Sequence, residues 1–517
     1  MQHKLSILAI TSAAFLSACG GGSDSTPIPL ASFSLGTGPS TTTTPYLTPI
    51  DTDVKFASIL TTGDAVGSYL MGGIPDGLGT YDNNDGTFTL LMNHELGNTL
   101  GTVRAHGAKG AYISEWVIEK ETMKVKSGAD LIKSVSTFNA VTSAWDVTPA
   151  VAFNRFCAAD LPAVSALYNS ATGNGTQTRI FLSGEESGGR GVAIVSTGVD
   201  KGKAYVLPWA GPFTAVAPAI AITAGWENLL AHPDAGDKTI VMANSDGGNN
   251  GVYMYVGTKK KTGNEVEKAG LVGGQGYRIS VNSGAAETQT ADAGFGLVND
   301  ASTFSLVANT AAGVAGTAFL RPEDGAWDTV NKNRYYFVTT NTVDAVKDGA
   351  NPDTPTAVGR SRLWSLTFTD LARPELGGVI EMVLKGTETI TVAGRTHGPQ
   401  MLDNMTVASD GTLILQEDVG GNIHNGKIWK YAPATKTLTL LAQHDVARFG
   451  DYLPTVTAGT LTKDEETSGV IEVTTLLGRT DGRRYFLTVD QNHAAATGTN
   501  ALELVEGGQL LLMSTAK

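Results

Sequence analysis

Hydrophobic and polar positions divide the chain into three regimes. A largely apolar stretch, Leu5 to Leu16, follows the positive charge of Lys4. A polar, turn-rich stretch runs next, through Gly-Gly-Gly-Ser-Asp-Ser-Thr-Pro-Ile-Pro and on to Ser40-Thr-Thr-Thr-Thr-Pro45. It cannot bury a core and reads as a flexible tether. From Tyr46 to Lys517 apolar residues come in short runs of strand length, broken by Gly, Asp and Asn, with few long helical periodicities. Short strands joined by tight turns are predicted. No second apolar run is long enough to cross a bilayer. The divisions are therefore a leader over 1–18, a tether over 19–45 and one domain over 46–517.

A near-repeat organises that domain. Asp85-Gly86-Thr87-Phe88-Thr89-Leu90-Leu91-Met92 leads into Asn93-His94-Glu95, and Asp410-Gly411-Thr412-Leu413-Ile414-Leu415-Gln416 leads into Glu417-Asp418. Each is a turn, a strand and then acid. Looser versions span Thr178–Glu186, Asp237–Asp246, Asn331–Asn341 and Asp481–Asp490. The six units end between 95 and 490, a mean spacing of about 79 residues over five steps, enough for a four-stranded blade with generous loops. Glycine, 62 of 517 residues, exceeds the roughly 7% average and suits many tight turns. The prediction is an all-β, six-bladed β-propeller with inserted loops and short helices.

Inner strands of a propeller run in one direction, so equivalent strand ends meet at one mouth of the central channel. Taking the six units as inner strands brings their terminal acids together there. Such charges repel unless cations neutralise them or some take up protons. The competing reading makes the Asp-Gly pairs ordinary hairpin turns with acids on solvated loops.

The leader has the short charged and apolar parts of a signal peptide. Its ending, Leu16-Ser17-Ala18-Cys19, resembles the bacterial lipobox. That resemblance implies cleavage before Cys19, lipidation of Cys19 and a membrane tether outside the cytoplasm. Gly20 stands where an inner-membrane retention signal carries Asp, which points to the outer membrane. Only Cys157 then remains, and it cannot form an internal disulfide. In an oxidising compartment a lone thiol is buried, paired with another chain or held by a metal.

Cys157 lies in Phe153-Asn154-Arg155-Phe156-Cys157-Ala158-Ala159-Asp160, under thirty residues before Gly184-Glu185-Glu186. Later come Gly225-Trp226-Glu227-Asn228, Leu320-Arg321-Pro322-Glu323-Asp324-Gly325 and Leu402-Asp403-Asn404-Met405. In this order the segments resemble the PhoX family of bacterial alkaline phosphatases, across most of the chain after the tether. The resemblance implies a six-bladed propeller whose site holds iron and calcium ions bridged by carboxylates and one thiolate. By that resemblance Cys157 is a thiolate ligand of iron, and Glu95, Glu186, Glu227 and Glu323 are the glutamates of the cluster. Asp403 and Asn404 complete it, with Glu185 an alternative to Glu186. Arg321, two residues before Glu323 and so on the same face of an extended segment, is the phosphate clamp. The implied substrate is a small phosphate ester, and the implied protein a monomer.

Donor chemistry agrees independently: hard carboxylates suit calcium, magnesium, manganese or ferric iron, and a thiolate among them favours a softer or redox-active metal. The chain has no G-x-S-x-G elbow, H-E-x-x-H helix or G-x-x-x-x-G-K-[ST] loop. It also departs from the family. The leader contains no arginine, against a common twin-arginine signal, and Trp226 and Leu402 replace a usual His and Pro. Two other readings follow: a calcium-dependent propeller hydrolase of lactonase or phytase type, which does not need Cys157, and a non-catalytic surface binding module, which does not need Arg321. A formal charge of −13 disfavours nucleic acid, so Lys259-Lys260-Lys261 reads as a solvated surface run. His94, His106 and His397 read as structural or supporting histidines.

Overall fold

The Asp-Gly-Thr repeat folds alike at both occurrences. Asp85 Oδ1 accepts from the Thr87 N–H at 3.0 Å and from its hydroxyl at 2.6 Å, with Gly86 at φ +87°. Asp410 and Thr412 reproduce these bonds at 3.0 and 2.7 Å, with Gly411 at φ +85°. The aspartate fixes the turn locally while glycine supplies a backbone angle that side chains resist.

Each turn joins the first two strands of an antiparallel meander in the computed structural model, which describes residues 36–211, 224–247, 250–287, 300–309, 315–340, 361–422, 424–451 and 457–517. The leader, Cys19 and the tether up to residue 35 lie outside the described residues, as does Asn341. Strand β1 (Lys55–Thr61) precedes a sheet of β2 (Pro75–Asp82), β3 (Thr87–His94), β4 (Tyr112–Glu119) and β5 (Val125–Asp130). The next contains β6 (Phe156–Asp160), β7 (Ile180–Glu185), β8 (Gly191–Val195) and β9 (Lys203–Val206), with Ser134–Asn139 and Ala144–Val147 added at its edge.

A nine-stranded sheet follows. Its first run is β10 (Leu230–Ala231), β11 (Lys238–Asn244), β12 (Val252–Thr258), β13 (Gln275–Val281) and β14 (Ala301–Ala308). Its second is β15 (Pro322–Trp327), β16 (Arg334–Thr339), β17 (Arg362–Phe368) and β18 (Gly378–Leu384), joined to the first through β14–β18 pairing. Then come β19 (Leu402–Val407), β20 (Leu413–Glu417), β21 (Lys427–Ala432) and β22 (Thr437–His444). Finally β23 (Glu465–Glu472), β24 (Arg483–Ala495) and β25 (Glu506–Ala516) take β1 as their fourth strand, antiparallel to β25. The N-terminal strand thus closes the C-terminal sheet.

First strands touch in cyclic order: β2, β6, β10, β15, β19, β23 and back to β2. The architecture is all-β and propeller-like, and its α-helices among the described residues are single turns such as Glu265–Lys268. Among the described residues the large sheets number five, and a count of six rests on dividing the nine-stranded one at β14–β18. Strands between sheets are buried on both faces, which is why β3 reads as an apolar run and not as an alternation. Phe88, Leu90 and Met92 pack toward Leu487, Leu510 and Leu512, while Leu91 packs with Phe181 and Ile194 of the sheet on the other side.

Three expectations are corrected here. The six repeat units are the second strands of the meanders, and β2, β6, β10, β15, β19 and β23 line the axis instead. Antiparallel pairing still brings the end of each second strand to the mouth where its first strand begins. Residues 36–45, expected in the tether, lie on the domain. Ser58 donates to the Gly36 and Thr43 carbonyls at 3.0 and 2.6 Å, and Arg448 donates to Thr44 Oγ1 at 2.6 Å. Lys259 is buried, donating to the Gly236 carbonyl at 2.8 Å, and burial lowers its pKa to about 8.

Candidate metal centre at the channel mouth

Four first strands begin with the same device. A residue with positive φ comes first: Ile74 at 49°, Arg155 at 59°, Arg321 at 57° and Met401 at 48°. Its carbonyl accepts from the residue just past the second strand: Glu95 N–H to Ile74, Glu186 to Arg155, Thr340 to Arg321 and Asp418 to Met401, all between 2.9 and 3.0 Å. Two residues later a break in register follows. The pairs Asp76-Gly77, Cys157-Ala158, Glu323-Asp324 and Asp403-Asn404 each fall in a β-bulge against the second strand. A bulge re-aims a side chain that regular pleating would turn elsewhere. It sends Asp76, Cys157, Glu323 and Asp403 toward common space.

Two trios of ligand atoms result, each lying within 4.8 Å of one another: Asp76, Glu95 and Cys157, and Glu227, Glu323 and Asp403. Five of the sequence-predicted residues are therefore gathered into such trios, and Asp76 is the member that sequence reasoning missed. Glu186 stands beside the first trio, its Oε2 3.8 Å from the Cys157 sulfur. Glu185 is spent elsewhere, since Arg190 and the Asn154 N–H, at 2.8 Å, take its oxygens. Asn404 donates to Asp403 Oδ1 at 2.8 Å.

Neutral amides hold the bulges from behind. Asn93 donates to the Cys157 carbonyl at 2.5 Å and to Ser183 at 3.0 Å. Asp324 accepts from Asn228 at 2.9 Å and from the Met405 N–H at 3.1 Å, tying β15 to β19 below the acids. Gln491 donates to Glu95 Oε2 at 3.0 Å. Deeper in the channel a cavity of about 290 Å³ is lined by apolar residues such as Leu78, Leu230, Trp327, Met405 and Ile471, together with Asp160 and Asp324.

Electrostatics follow from this crowding. Burial, then Glu227, Glu95 and Glu186, push the Cys157 thiol well above its ordinary pKa. Burial and neighbouring acids raise Asp76, Glu227 and Asp403 in the same way, as they do Glu323 against Arg321. Glu186 is raised to about 7 by burial, with Arg155 opposing. A polyvalent cation would reverse this logic, favouring every ionised ligand at once. Two orphaned atoms fit that use: Asp76 Oδ1 and Asn404 Oδ1 are buried and without a hydrogen-bond partner among the described residues.

Two arginines stand over the acids. Arg321 makes a bidentate pair with Asp246, Nε to Oδ1 at 2.8 Å and Nη2 to Oδ2 at 2.9 Å, and its Nη2 is 3.2 Å from Glu323 Oε1. Its proximity to Glu323 arises in a left-handed backbone, not in the extended segment expected. Arg155 bridges Glu95, Nε to Oε1 at 2.7 Å, and Glu186, Nε to Oε2 at 2.9 Å. Asp246, the terminal acid of the third repeat unit, was expected at the mouth but given no partner there, and Arg155 was not singled out from sequence for the site. His94 and His106 are structural: His94 bonds the Gly73 carbonyl and Ser114 at 2.9 and 2.8 Å, and His106 bonds the Val151 carbonyl at 3.1 Å.

Fold and site together define an all-β, propeller-like protein with carboxylates and one thiol converging at a single channel mouth. Among solved structures the chain is similar to PhoX of Pseudomonas fluorescens in complex with vanadate, a transition state analogue, with a TM-score of 0.56 at 11% identity over 94% of this chain and 98% of that one. The likeness shows a PhoX-like fold. The β-propeller domain of the Trilobed protease from Pyrococcus furiosus aligns at a TM-score of 0.28 and 6% identity, covering 81% and 91% of the two chains. A GH43 β-xylosidase/α-arabinofuranosidase from a compost microbial metagenome aligns at a TM-score of 0.30 and 8% identity, covering 88% and 94% of the two chains. No family model matches the chain, and no curated protein matches it.

Proposed function

We propose that the chain is a metal-dependent phosphatase of the PhoX kind, hydrolysing phosphate monoesters outside the cytoplasm from a lipid anchor on Cys19, most of its length forming a six-bladed propeller. The observation that carries this reading is the convergence of the two ligand trios at one mouth of a PhoX-like fold. Asp76, Glu95, Cys157 and Glu186 would hold iron, because a thiolate among carboxylates suits a redox-active transition metal. Glu227, Glu323, Asp403 and Asn404, with oxygen donors only, would hold calcium. When bound, these ions supply Lewis acidity toward a phosphoryl oxygen.

The protein's own groups do the rest. Arg321, fixed by the Asp246 fork, orients a phosphate group and balances charge developing on its oxygens. No serine nucleophile is required. A calcium-only hydrolase would leave Cys157 without a use inside its trio.

Elemental analysis of the purified protein, beside hydrolysis of p-nitrophenyl phosphate, tests this. Iron together with calcium, with iron and turnover both lost in Cys157→Ser, is the expected result. Calcium alone with turnover intact in Cys157→Ser would replace the iron reading with the calcium-dependent one. Absence of bound metal after supply of both ions would overturn the proposal.

A further inference from the structure

The positive-φ residues that open the first strands are equivalent positions around the mouth, and only two carry charge. Ile74 and Met401 are apolar, whereas Arg155 and Arg321 are cationic. Between their two strands the channel is lined by β10, and in the segment that leads to it the residue two before Glu227 is Gly225. No side chain of that residue stands between the arginines.

Their anchoring differs. Arg321 keeps its fork on Asp246, which belongs to neither trio, whatever happens to Glu323. Arg155 has no such fixed partner. Its guanidinium rests on Glu95 Oε1 and Glu186 Oε2, while Gln491 occupies Glu95 Oε2 at 3.0 Å. A cation shared by Glu95 and Cys157 therefore needs oxygens that Arg155 is using. The Arg155 backbone cannot follow its side chain, because its N–H donates to the Leu96 carbonyl and its carbonyl accepts from Glu186, both at 3.0 Å. Its side chain is 47% exposed and free to swing outward from that fixed point.

We propose that Arg155 is a cation-released anion clamp: metal binding at Glu95 and Cys157 displaces its guanidinium, which then joins Arg321 in gripping a tetrahedral oxyanion. This rests on the phosphatase reading and deepens it. Two guanidinium cations match the two negative charges of a terminal phosphate, whereas a phosphodiester carries one. The site thereby favours monoesters over diesters, and it acquires its full anion affinity only when loaded.

Cobalt(II) accepts both carboxylate and thiolate ligands, so it serves as the probe, read through its thiolate absorption. Metal-stripped wild type and Arg155→Gln are titrated with cobalt(II), and the cobalt-loaded proteins are then titrated with inorganic phosphate. Arg155→Gln removes the competing cation, so cobalt binds about tenfold more tightly, while phosphate binds about tenfold more weakly for the lost charge-assisted bonds. Opposite signs are the signature, because a merely structural residue would weaken both. Arg155→Lys, which keeps charge without the fork, falls between the two for phosphate and retains competition with cobalt. It serves as the second variant should Arg155→Gln fail to fold in thermal unfolding. Wild-type binding of cobalt and phosphate with no change in either variant would sink the clamp alone. Failure of wild type to bind cobalt would sink the metal centre and the clamp with it.

Discussion

Replacing Gly77 with alanine tests whether the bulges set the metal centre. A Cβ there would lie 2.4 Å from Ala159 N and 2.6 Å from Ala159 Cβ, on the strand carrying Cys157. Gly77 does not have positive φ, so the cost is steric, and β2 must separate from β6 by about 1 Å to reach ordinary contact. Such overpacking costs about 1–3 kcal/mol. At ~2.1 cal/mol/K of unfolding entropy per residue, a domain of roughly 480 residues loses only about 1–3 °C in Tm. The movement falls, however, on the Asp76–Cys157 gap, and displacing one ligand by that distance should lower metal affinity roughly 10- to 100-fold. Gly86→Ala is the control. Gly86 has φ +87° and nothing within 4 Å of its added Cβ, so it costs about 1 kcal/mol through the backbone and leaves the centre untouched. Calorimetric melting and metal content after identical dialysis separate the two. Equal metal retention in both variants would refute the role given to the bulges.

Three further outcomes are expected. Glu287→Gln should cost about 3–5 kcal/mol in denaturant unfolding, because it strips a buried Arg362 of its carboxylate at 2.6 Å, and Glu287→Leu with Arg362→Met should recover most of it. Burial alone would lower His444, but Asp490 at 2.8 Å and Glu465 raise it to about 9. Its contribution is complete below pH 6.5 and is lost as pH rises through 9. That is worth roughly 3 kcal/mol, so urea midpoints should fall across this window in wild type and stay flatter in His444→Gln. Arg321→Ala should lower kcat/KM for a phosphate monoester by about 10²- to 10³-fold. Asp246→Asn, which loosens the arginine without removing it, should raise KM about tenfold with a smaller change in kcat.

How far the chain could be read depended on what each residue's position required. Asp-Gly-Thr at 85 and 410 announces a turn because both its hydrogen bonds and its glycine are local, and the strand after each turn was legible for that reason. Whether that strand was first or second in its meander was not legible, since both carry apolar runs when buried on two faces. Cys157, Glu227, Glu323 and Asp403 were found through motif order. Asp76 stood in plain view, in Pro75-Asp76-Gly77 beside Pro322-Glu323-Asp324-Gly325, but a period-two reading has no place for a bulge. Arg155 escaped for a related reason: its use depends on a left-handed angle that a non-glycine residue does not advertise. Asp490, counted among the mouth acids, instead lies buried beside His444.

The protein spends its hydrogen bonds at the mouth on the backbone of the bulges more than on the acids they carry. Asn93 holds the Cys157 carbonyl, Asn244 the Glu323 carbonyl, and Asp324 the Met405 N–H. Asp76 Oδ1 and Asn404 Oδ1 are left over. The geometry of the mouth is thus fixed by the backbone, while charge repulsion between the acids is relieved only in part, by Arg155 and Arg321. The ring is closed where its first and last sheets meet. Here that joint is a strand pairing in which β1 runs against β25 from Lys55↔Ser514 to Thr61↔Gln509, with Leu60 and Leu510 in the same apolar cluster. Closing the ring through hydrogen bonds and burial, away from the acids, lets the mouth keep oxygens unsatisfied without unfolding the scaffold that aims them.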